Sequence, residues 1–388
     1  MRLAVLSSHP IQYNAPIFRK LAEKADVEVF YAHKATAANQ ANAGFDVPFE
    51  WDIDLTSGYR HVFLTNIARN PNPISFSGCD TPDIGRELSR GKFDALLITG
   101  WSLKSYIQGL FAAKRLHIPV LVRGDSQLAT VRSRLKKTLK EVAYPPFLRS
   151  FDAACYVGAR SRAYYEHYRF PAERLFFSPH CIDADWFRQK ATLEARAGVR
   201  MRYGIKDETP ILLFAGKLIP MKRPNDVIAA AATCRSRGMN LEVMIAGSGV
   251  LEPQIREQAR ELGVPVHMLG FCNQSQMPEV YAACDMLILP SEAAETWGLV
   301  VNEALACGKP FIISDTCGCA GDFALDGTAG RAAPRANIEG LADAILDVLA
   351  HPPSLQSIQA KSARYSLENA AAGILNAAEF SQKRLRRQ

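Results

Sequence analysis

Nowhere does this 388-residue chain carry the ~18–20 consecutive apolar residues that a membrane-crossing helix needs. The N-terminus, MRLAVLSSHPIQY, has one arginine and an apolar run too short for a secretory leader, so it reads as a first β-strand of a cytoplasmic protein. The nine cysteines are scattered singly apart from Cys317-Gly-Cys319, an odd number without framework spacing. That excludes a disulfide scaffold and suits a reducing compartment. No cluster of His, Cys and carboxylates has ligand spacing, so no metal is expected. There is no internal repeat of about 20–50 residues. Zinc-finger spacing and aromatics interleaved with bases are also missing, so no nucleic-acid partner is expected. What remains is an ordinary globular composition, 48% apolar and 22% charged, long enough for two domains.

The net charge of +7 is unevenly placed. Residues 1–190 hold 26 Lys/Arg against 18 Asp/Glu, and residues 191–388 hold 20 against 21. A basic first half suggests that it meets something anionic. Its densest stretch, 126–140, has no acid and five bases: Arg132, Arg134, Lys136, Lys137 and Lys140. Leu128, Val131, Leu135, Leu139 and Val142 recur there at helical spacing, so 126–142 reads as a basic amphipathic helix. Its apolar stripe either packs on its own domain or rests on an anionic membrane surface.

Short apolar runs alternate with amphipathic segments along the chain. Strands are expected at 3–7, 27–31, 95–99, 119–123, 153–157 and 175–178, then at 211–215, 241–246, 266–269, 286–289 and 311–314. Strands separated by helices mean βαβ units and parallel sheets. The expected fold class is α/β, with two Rossmann-like doubly wound domains facing across a cleft. The boundaries are 1–190, 191–365 and a C-terminal helix, 366–388, which packs back on the first domain. The polar segment 188–208 is the expected linker. Segment 34–79 is long and aperiodic, the mark of a functional or mobile loop.

In open α/β sheets, ligands bind outside the carboxyl ends of the strands. Three strand ends carry candidate chemistry. The first is LILPSEAAETWGLVVNEALACGKPFIISD, in which a strand ends at Pro290-Ser291 and a helix is expected just after Glu295. Glu303 falls about two turns into that helix, and the backbone N–H groups of Thr296, Trp297, Gly298 and Leu299 lie between the two acids. Free amides at a helix start attract a phosphate, and carboxylates on either side accept from sugar hydroxyls. The second is ILLFAGKLIPMKR. Gly216 permits tight approach at the strand end, and Lys217 and Lys222 can neutralise a diphosphate. The third, LEVMIAGSG, runs a strand into Gly247-Ser248-Gly249, but Glu252 stands where a dinucleotide fingerprint needs its third glycine. A nicotinamide oxidoreductase is therefore only a third choice.

The order AGKLIPMKRP, IAGSGVLEP, LGFCNQSQMPEVYAACDMLILPS, ETWGLVVNEALACGKPFIISD resembles the C-terminal half of retaining glycosyltransferases of family 4, which have the GT-B fold. The pattern PS-x(3)-E-x-WG-x(4)-E-A-x-A-x-G-x-P is specific in combination. The resemblance implies that Glu295 contacts the donor sugar, that Glu303 holds the nucleotide ribose, and that Lys217 and Lys222 bind the donor diphosphate. SPHCIDADWF is similar to the family's Asn-Gly-Val-Asp element, with His180-Cys181 in place of Asn-Gly. In the first half, Ser7-Ser8-His9-Pro10-Ile11-Gln12-Tyr13-Asn14 stands where the family often has a Gly-Gly loop, so His9, Gln12 and Tyr13 are acceptor-side candidates. Where many members have a histidine near the sugar, this chain reads Val122-Arg123-Gly124-Asp125-Ser126. There either Asp125 takes over the polar contact and Arg123 meets a phosphate, or the stretch is a structural turn.

The implied reaction moves a hexosyl group, with retention, from a UDP- or GDP-sugar to a hydroxyl of a glycan or lipid-linked acceptor at the inner face of the cytoplasmic membrane. No cofactor beyond that donor is expected. The rivals are a sugar-nucleotide epimerase of the same architecture and a non-catalytic membrane-associated scaffold.

Overall fold

The structure, a computed structural model, describes residues 1–34, 47–129 and 133–387, without the side chain of Lys136. Two all-parallel sheets organise it. The first contains β1 (Arg2–Ser7), β2 (Asp26–Tyr31), β3 (Arg60–Phe63), β4 (Ala95–Ile98), β5 (Val120–Gly124), β6 (Ala153–Tyr156) and β7 (Leu175–Phe177), in the order β3-β2-β1-β4-β5-β6-β7. The second contains β8 (Ile211–Ala215), β9 (Glu242–Ala246), β10 (Val266–Gly270), β11 (Met286–Leu289), β12 (Phe311–Ser314) and β13 (Gly330–Ala333), in the order β10-β9-β8-β11-β12-β13. The central strands are buried on both faces, as in Leu3 to Leu6 and Ile211 to Phe214. Such strands must read as continuous apolar runs, because helices cover both sides of a parallel sheet.

Two strands escape the sequence reading, and both are edges. β3 is Arg-His-Val-Phe with three of its four residues exposed, and β13 is Gly-Arg-Ala-Ala. An edge strand packs on fewer neighbours and needs no apolar run. β3 lies inside the segment expected to be a long loop, of which 35–46 fall outside the described residues. The expected linker is two helices, Ala184–Lys190 and Leu193–Tyr203. Its charge is put to use inside the second domain. Arg200, 1% exposed, donates to the carbonyls of Ala283, Lys206 and Thr209 and to Asp285, which also pairs with Arg196. The C-terminal helix, Leu367–Leu385, lies on the first sheet. Ala370, Ala371, Ile374, Ala377 and Ala378 are fully buried there, and Gly373 sits so close to the Phe177 carbonyl that a Cβ would lie 1.9 Å from it.

The basic helix runs over Arg134–Leu148 rather than from Ser126, and Val131 and Arg132 lie outside the described residues. The reading in which its stripe packs on its own domain is overturned. Leu135, Leu139 and Val142 are 81%, 67% and 74% exposed. The helix is anchored instead near its C-terminal end, by Leu148 in the core and by Tyr144 and Phe147 against Tyr168 and Phe151.

Each sheet reverses its order once, between β1 and β4 and between β8 and β11. These are the switch points where a crevice opens at the strand ends. The loop after β1 carries His9 to Tyr13, the loop after β8 carries Lys217 and Lys222, and the loop after β11 carries Glu295.

Candidate functional site

The second domain supplies the floor. β8 and β9 end side by side, with the Gly216 N–H donating to the Ala246 carbonyl at 2.9 Å. Gly247, at φ +156°, lies so close to the Gly216 carbonyl oxygen that a Cβ would sit 1.8 Å from it, and no larger residue fits. Just past this junction, Lys222 ion-pairs with Glu295, and both side chains are largely buried. The Ser291 hydroxyl stands 3.4 Å from the same Glu295 oxygen. Lys217 belongs to this group, its pKa lowered by burial and by the positive charge of Lys222, with Glu295 acting the other way. Two cations and one carboxylate thus share the strand-end crevice.

The loop after Glu295 differs from expectation in a way that moves Glu303. The helix is Val300–Ala306, so Glu303 lies in its first turn, not two turns in. The delay comes from Gly298, whose φ of +99° is not helical; a Cβ there would meet Leu289 at 2.8 Å. Thr296, Trp297, Gly298 and Leu299 therefore form the loop before the helix. The Trp297 side chain, to which the sequence assigned no role, turns into the protein. Its indole is 4% exposed and donates to Asn302 at 2.9 Å, and it packs against Phe323, Tyr365 and His180. It is core, supporting the loop from beneath. Leu299 likewise leans on this core.

Glu303 is only 2% exposed. Its two oxygens accept from the Tyr13 hydroxyl at 3.0 Å and the Tyr281 hydroxyl at 2.8 Å. Tyr13 comes from the first domain, so this bond spans the cleft. Burial raises the Glu303 pKa to about 7, outweighing hydrogen bonds from Tyr281, Tyr13 and Gln274 that favour the charged form. With the carboxyl moved up from its usual 4.5, folding favours the protonated form. That contribution is complete below the unfolded pKa and is lost as pH rises through 7, by roughly 3 kcal/mol in all. Wild-type denaturation midpoints are therefore expected to fall from pH 5 to pH 8 more steeply than those of Glu303→Gln. Parallel pH curves would refute the shift.

The first domain supplies the facing wall. Asp125 accepts from the Thr296 hydroxyl at 2.6 Å and stands 3.8 Å from His180 Nε2. Burial works against ionisation of this carboxyl, but His180 and Thr296 outweigh it and hold it below the usual carboxylate range. Burial also lowers His180, so at neutral pH the pair is a carboxylate beside a neutral imidazole. The His180 carbonyl in turn accepts from Asn302 at 3.1 Å, and Gln127 donates to the carbonyls of Ala293 and Glu295. His9 is bonded through Nδ1 to Ser8, and burial, with His33 adding to it, takes it down to about 4, so it is neutral. Gln12 bonds Tyr13 and, with Tyr13, Trp186 and Gln274, lines a cavity of about 340 Å³ beside Glu303.

Arg123 does not reach a phosphate. It is 6% exposed and donates to the Ser178 hydroxyl at 3.0 Å and the Pro179 carbonyl at 2.7 Å. It staples the chain as it leaves the first sheet. Tyr281, Gln274, Gln127 and His180 were not singled out as site residues. His180 carried a signal as a departure from the family's turn, and Gln274 and Tyr281 lie inside a stretch that resembles the family. Among the described residues, no group of three or more His, Cys, Asp or Glu side chains is placed to hold a metal ion, and no helix is long and apolar enough to cross a membrane.

Residues 198–365 match the family profile of glycosyl transferases group 1. The second domain belongs to that family. The chain is 31% identical over 208 residues to an alpha-D-kanosaminyltransferase of Streptomyces kanamyceticus, covering 52% of this chain and 53% of that protein. It is 26% identical over 226 residues to a GDP-mannose-dependent phosphatidylinositol monomannoside mannosyltransferase of Mycolicibacterium smegmatis, covering 56% and 58%. The chain thus spans about half the length of these curated relatives. In overall shape it is similar to Anabaena HepE in complex with UDP, with a TM-score of 0.73 at 18% identity and 97% and 99% coverage. A Neisseria meningitidis UDP-GlcNAc 2-epimerase bound to UDP-GlcNAc scores 0.61 at 13% identity, covering 97% and 99%. The architecture is that of the two-domain GT-B proteins, and the group 1 glycosyltransferase domain forms its C-terminal half.

Proposed function

We propose that this protein is a retaining hexosyltransferase that takes its sugar from a UDP- or GDP-linked donor and passes it to a hydroxyl of a glycan or lipid-linked acceptor. The observation that carries the reading is the meeting of Lys217, Lys222 and Glu295 at one switch point, with Tyr13 lying between Glu303 and Glu295 and with Asp125 of the facing domain bonded to Thr296. Chemically, the bond from the anomeric carbon to the β-phosphate oxygen breaks, and its electron pair leaves with the diphosphate. Lys217 and Lys222 stabilise that charge where it develops. Glu295 orients the sugar, and Glu303 accepts from hydroxyls at the nucleoside end. Asp125 stays ionised beside the sugar and favours its developing positive charge. The acceptor oxygen bonds to the anomeric carbon from the face the diphosphate leaves, and its proton passes to the departing phosphate oxygen. No cofactor other than the donor, and no metal, enters this scheme. The first domain over the crevice excludes water and suppresses donor hydrolysis.

The test is an assay of sugar transfer with UDP- and GDP-sugars, read by anomeric proton coupling in the product. Inversion at the anomeric carbon would refute the retaining chemistry. The epimerase reading has the Neisseria fold likeness in its favour. NMR of the protein with donor alone separates the two, because only an epimerase converts the sugar without an acceptor.

A lipid-linked acceptor requires a membrane nearby. Helix Arg134–Leu148 presents Leu135, Leu139 and Val142 to solvent beside Arg134 and Lys137, a pattern suited to lying on anionic lipid. Flotation with phosphatidylglycerol vesicles should capture the wild type at low salt. Near a membrane each cation contributes about 1 kcal/mol, so Arg134→Glu with Lys137→Glu should weaken binding by at least about 30-fold. A wild type that ignores such vesicles ends the membrane proposal.

A further inference from the structure

The acid read above as the acceptor of donor hydroxyls is already occupied. Both Glu303 oxygens hold tyrosine hydroxyls, and the side chain is almost wholly covered. The two tyrosines differ in where they come from. Tyr281 lies on helix Met277–Ala283 of the same domain, is fully buried, and also stands 3.2 Å from the Val300 carbonyl. It moves with Glu303. Tyr13 belongs to the loop after β1, on the other domain, and leaves Glu303 whenever the domains part or the loop shifts. It has somewhere to go, since the cavity of about 340 Å³ that it lines with Gln12 and Trp186 adjoins it. The Oε1 oxygen could accept a second hydrogen bond, but with Tyr13 in place Glu303 is only 2% exposed, which leaves no open surface for a ligand hydroxyl.

We propose that Tyr13 is a stand-in for a donor hydroxyl: in the ligand-free protein its phenol caps Glu303 across the cleft, and the nucleoside displaces it on binding. This rests on the reading of Glu303 as part of the donor site. Tyr13 is thus a positioning residue for Glu303, competing with the donor rather than touching the reacting atoms. The capped state lowers the fraction of molecules ready to bind, and apparent affinity falls by that fraction. The same bond draws the two domains together before any donor arrives.

The experiment is calorimetric titration with UDP and with GDP of the wild type, Tyr13→Phe, Tyr281→Phe and Glu303→Gln, combined with hydrogen exchange of each protein without ligand. Tyr13→Phe should bind its nucleotide about tenfold more tightly, a gain that mere structural damage cannot produce. Tyr281→Phe should show no such gain. Without ligand, Tyr13→Phe should exchange faster than the wild type over 11–15 and over helix Val300–Ala306. Unchanged or weaker nucleotide binding by Tyr13→Phe overturns the proposal, as does an equal gain in Tyr281→Phe. Unchanged exchange in Tyr13→Phe overturns it too, whatever the nucleotide data. If Glu303→Gln binds UDP and GDP as the wild type does, the donor-site reading fails instead, and exchange alone decides whether Tyr13 holds the domains together.

Discussion

Glu303→Ala should abolish sugar transfer, leaving less than about one part in a thousand of wild-type kcat/KM, the loss typical for a group that both orients and stabilises. Two effects combine. The donor loses a fixed acceptor for its hydroxyls, so the reacting carbon is no longer held against Lys222 and Asp125. The site also loses shape, because Tyr13 and Tyr281 both bond this acid. Truncation leaves the buried Tyr281 hydroxyl with only the Val300 carbonyl as partner. Each lost hydrogen bond costs about 1 kcal/mol, so a modestly lower melting temperature accompanies the lost activity. Glu303→Gln separates the two effects. It keeps the volume and one acceptor, and should restore most of the stability while recovering little transfer. The measurements are initial rates over a range of donor concentrations from below KM upward, and thermal melting. Near-normal turnover by Glu303→Ala would remove Glu303 from the donor site and with it the assignment of the crevice.

Lys222→Ala comes next in size, with kcat expected to fall by about 10²–10³. Without a donor, Lys222 and Glu295 neutralise one another in a largely buried pair. The incoming diphosphate takes the lysine and frees the acid for the sugar. Charge on the diphosphate grows as the anomeric bond breaks, so the contact strengthens in the transition state and its loss appears chiefly in kcat. Lys217 remains nearby, and with Lys222 gone its main repulsion is removed. It continues to hold the ground-state diphosphate, so nucleotide affinity should fall less than turnover does. Steady-state kinetics together with UDP and GDP titrations measure both. An unchanged kcat with raised KM would mean that Lys222 merely binds. Glu295→Gln offers a cross-check, since removing the acid leaves Lys222 without its partner and should slow transfer without weakening diphosphate binding.

The features open to reading from residue order are those set by local physics. A strand covered on both faces must be apolar along its whole length, which is why Leu3 to Leu6 and Ile211 to Phe214 announce themselves. β3 and β13 stayed hidden because edge strands carry no such demand. In the site, the spacing of Glu295 and Glu303 and the nearness of Lys217 to Lys222 are legible because each pair sits on one short stretch of chain. The misreading, Arg123, concerns a side chain whose type suits a phosphate or a buried carbonyl equally well. Arg123 proved to be a staple for residues 178–179, and Trp297 a support beneath its loop.

Residue order alone therefore settles that there are two parallel sheets covered by helices, and that acids and cations crowd the strand ends of the second. It leaves open which side chains meet across the cleft, because Tyr13 and Glu303 stand 290 positions apart, and Asp125 and Thr296 171. Hydrogen bonds of a few ångströms between such distant positions depend on how two domains dock. The exposure of Leu135, Leu139 and Val142 was equally undetermined, since an amphipathic stripe looks the same whether a neighbour covers it or water does. Docking and burial are sums over the whole molecule, and no local pattern encodes them.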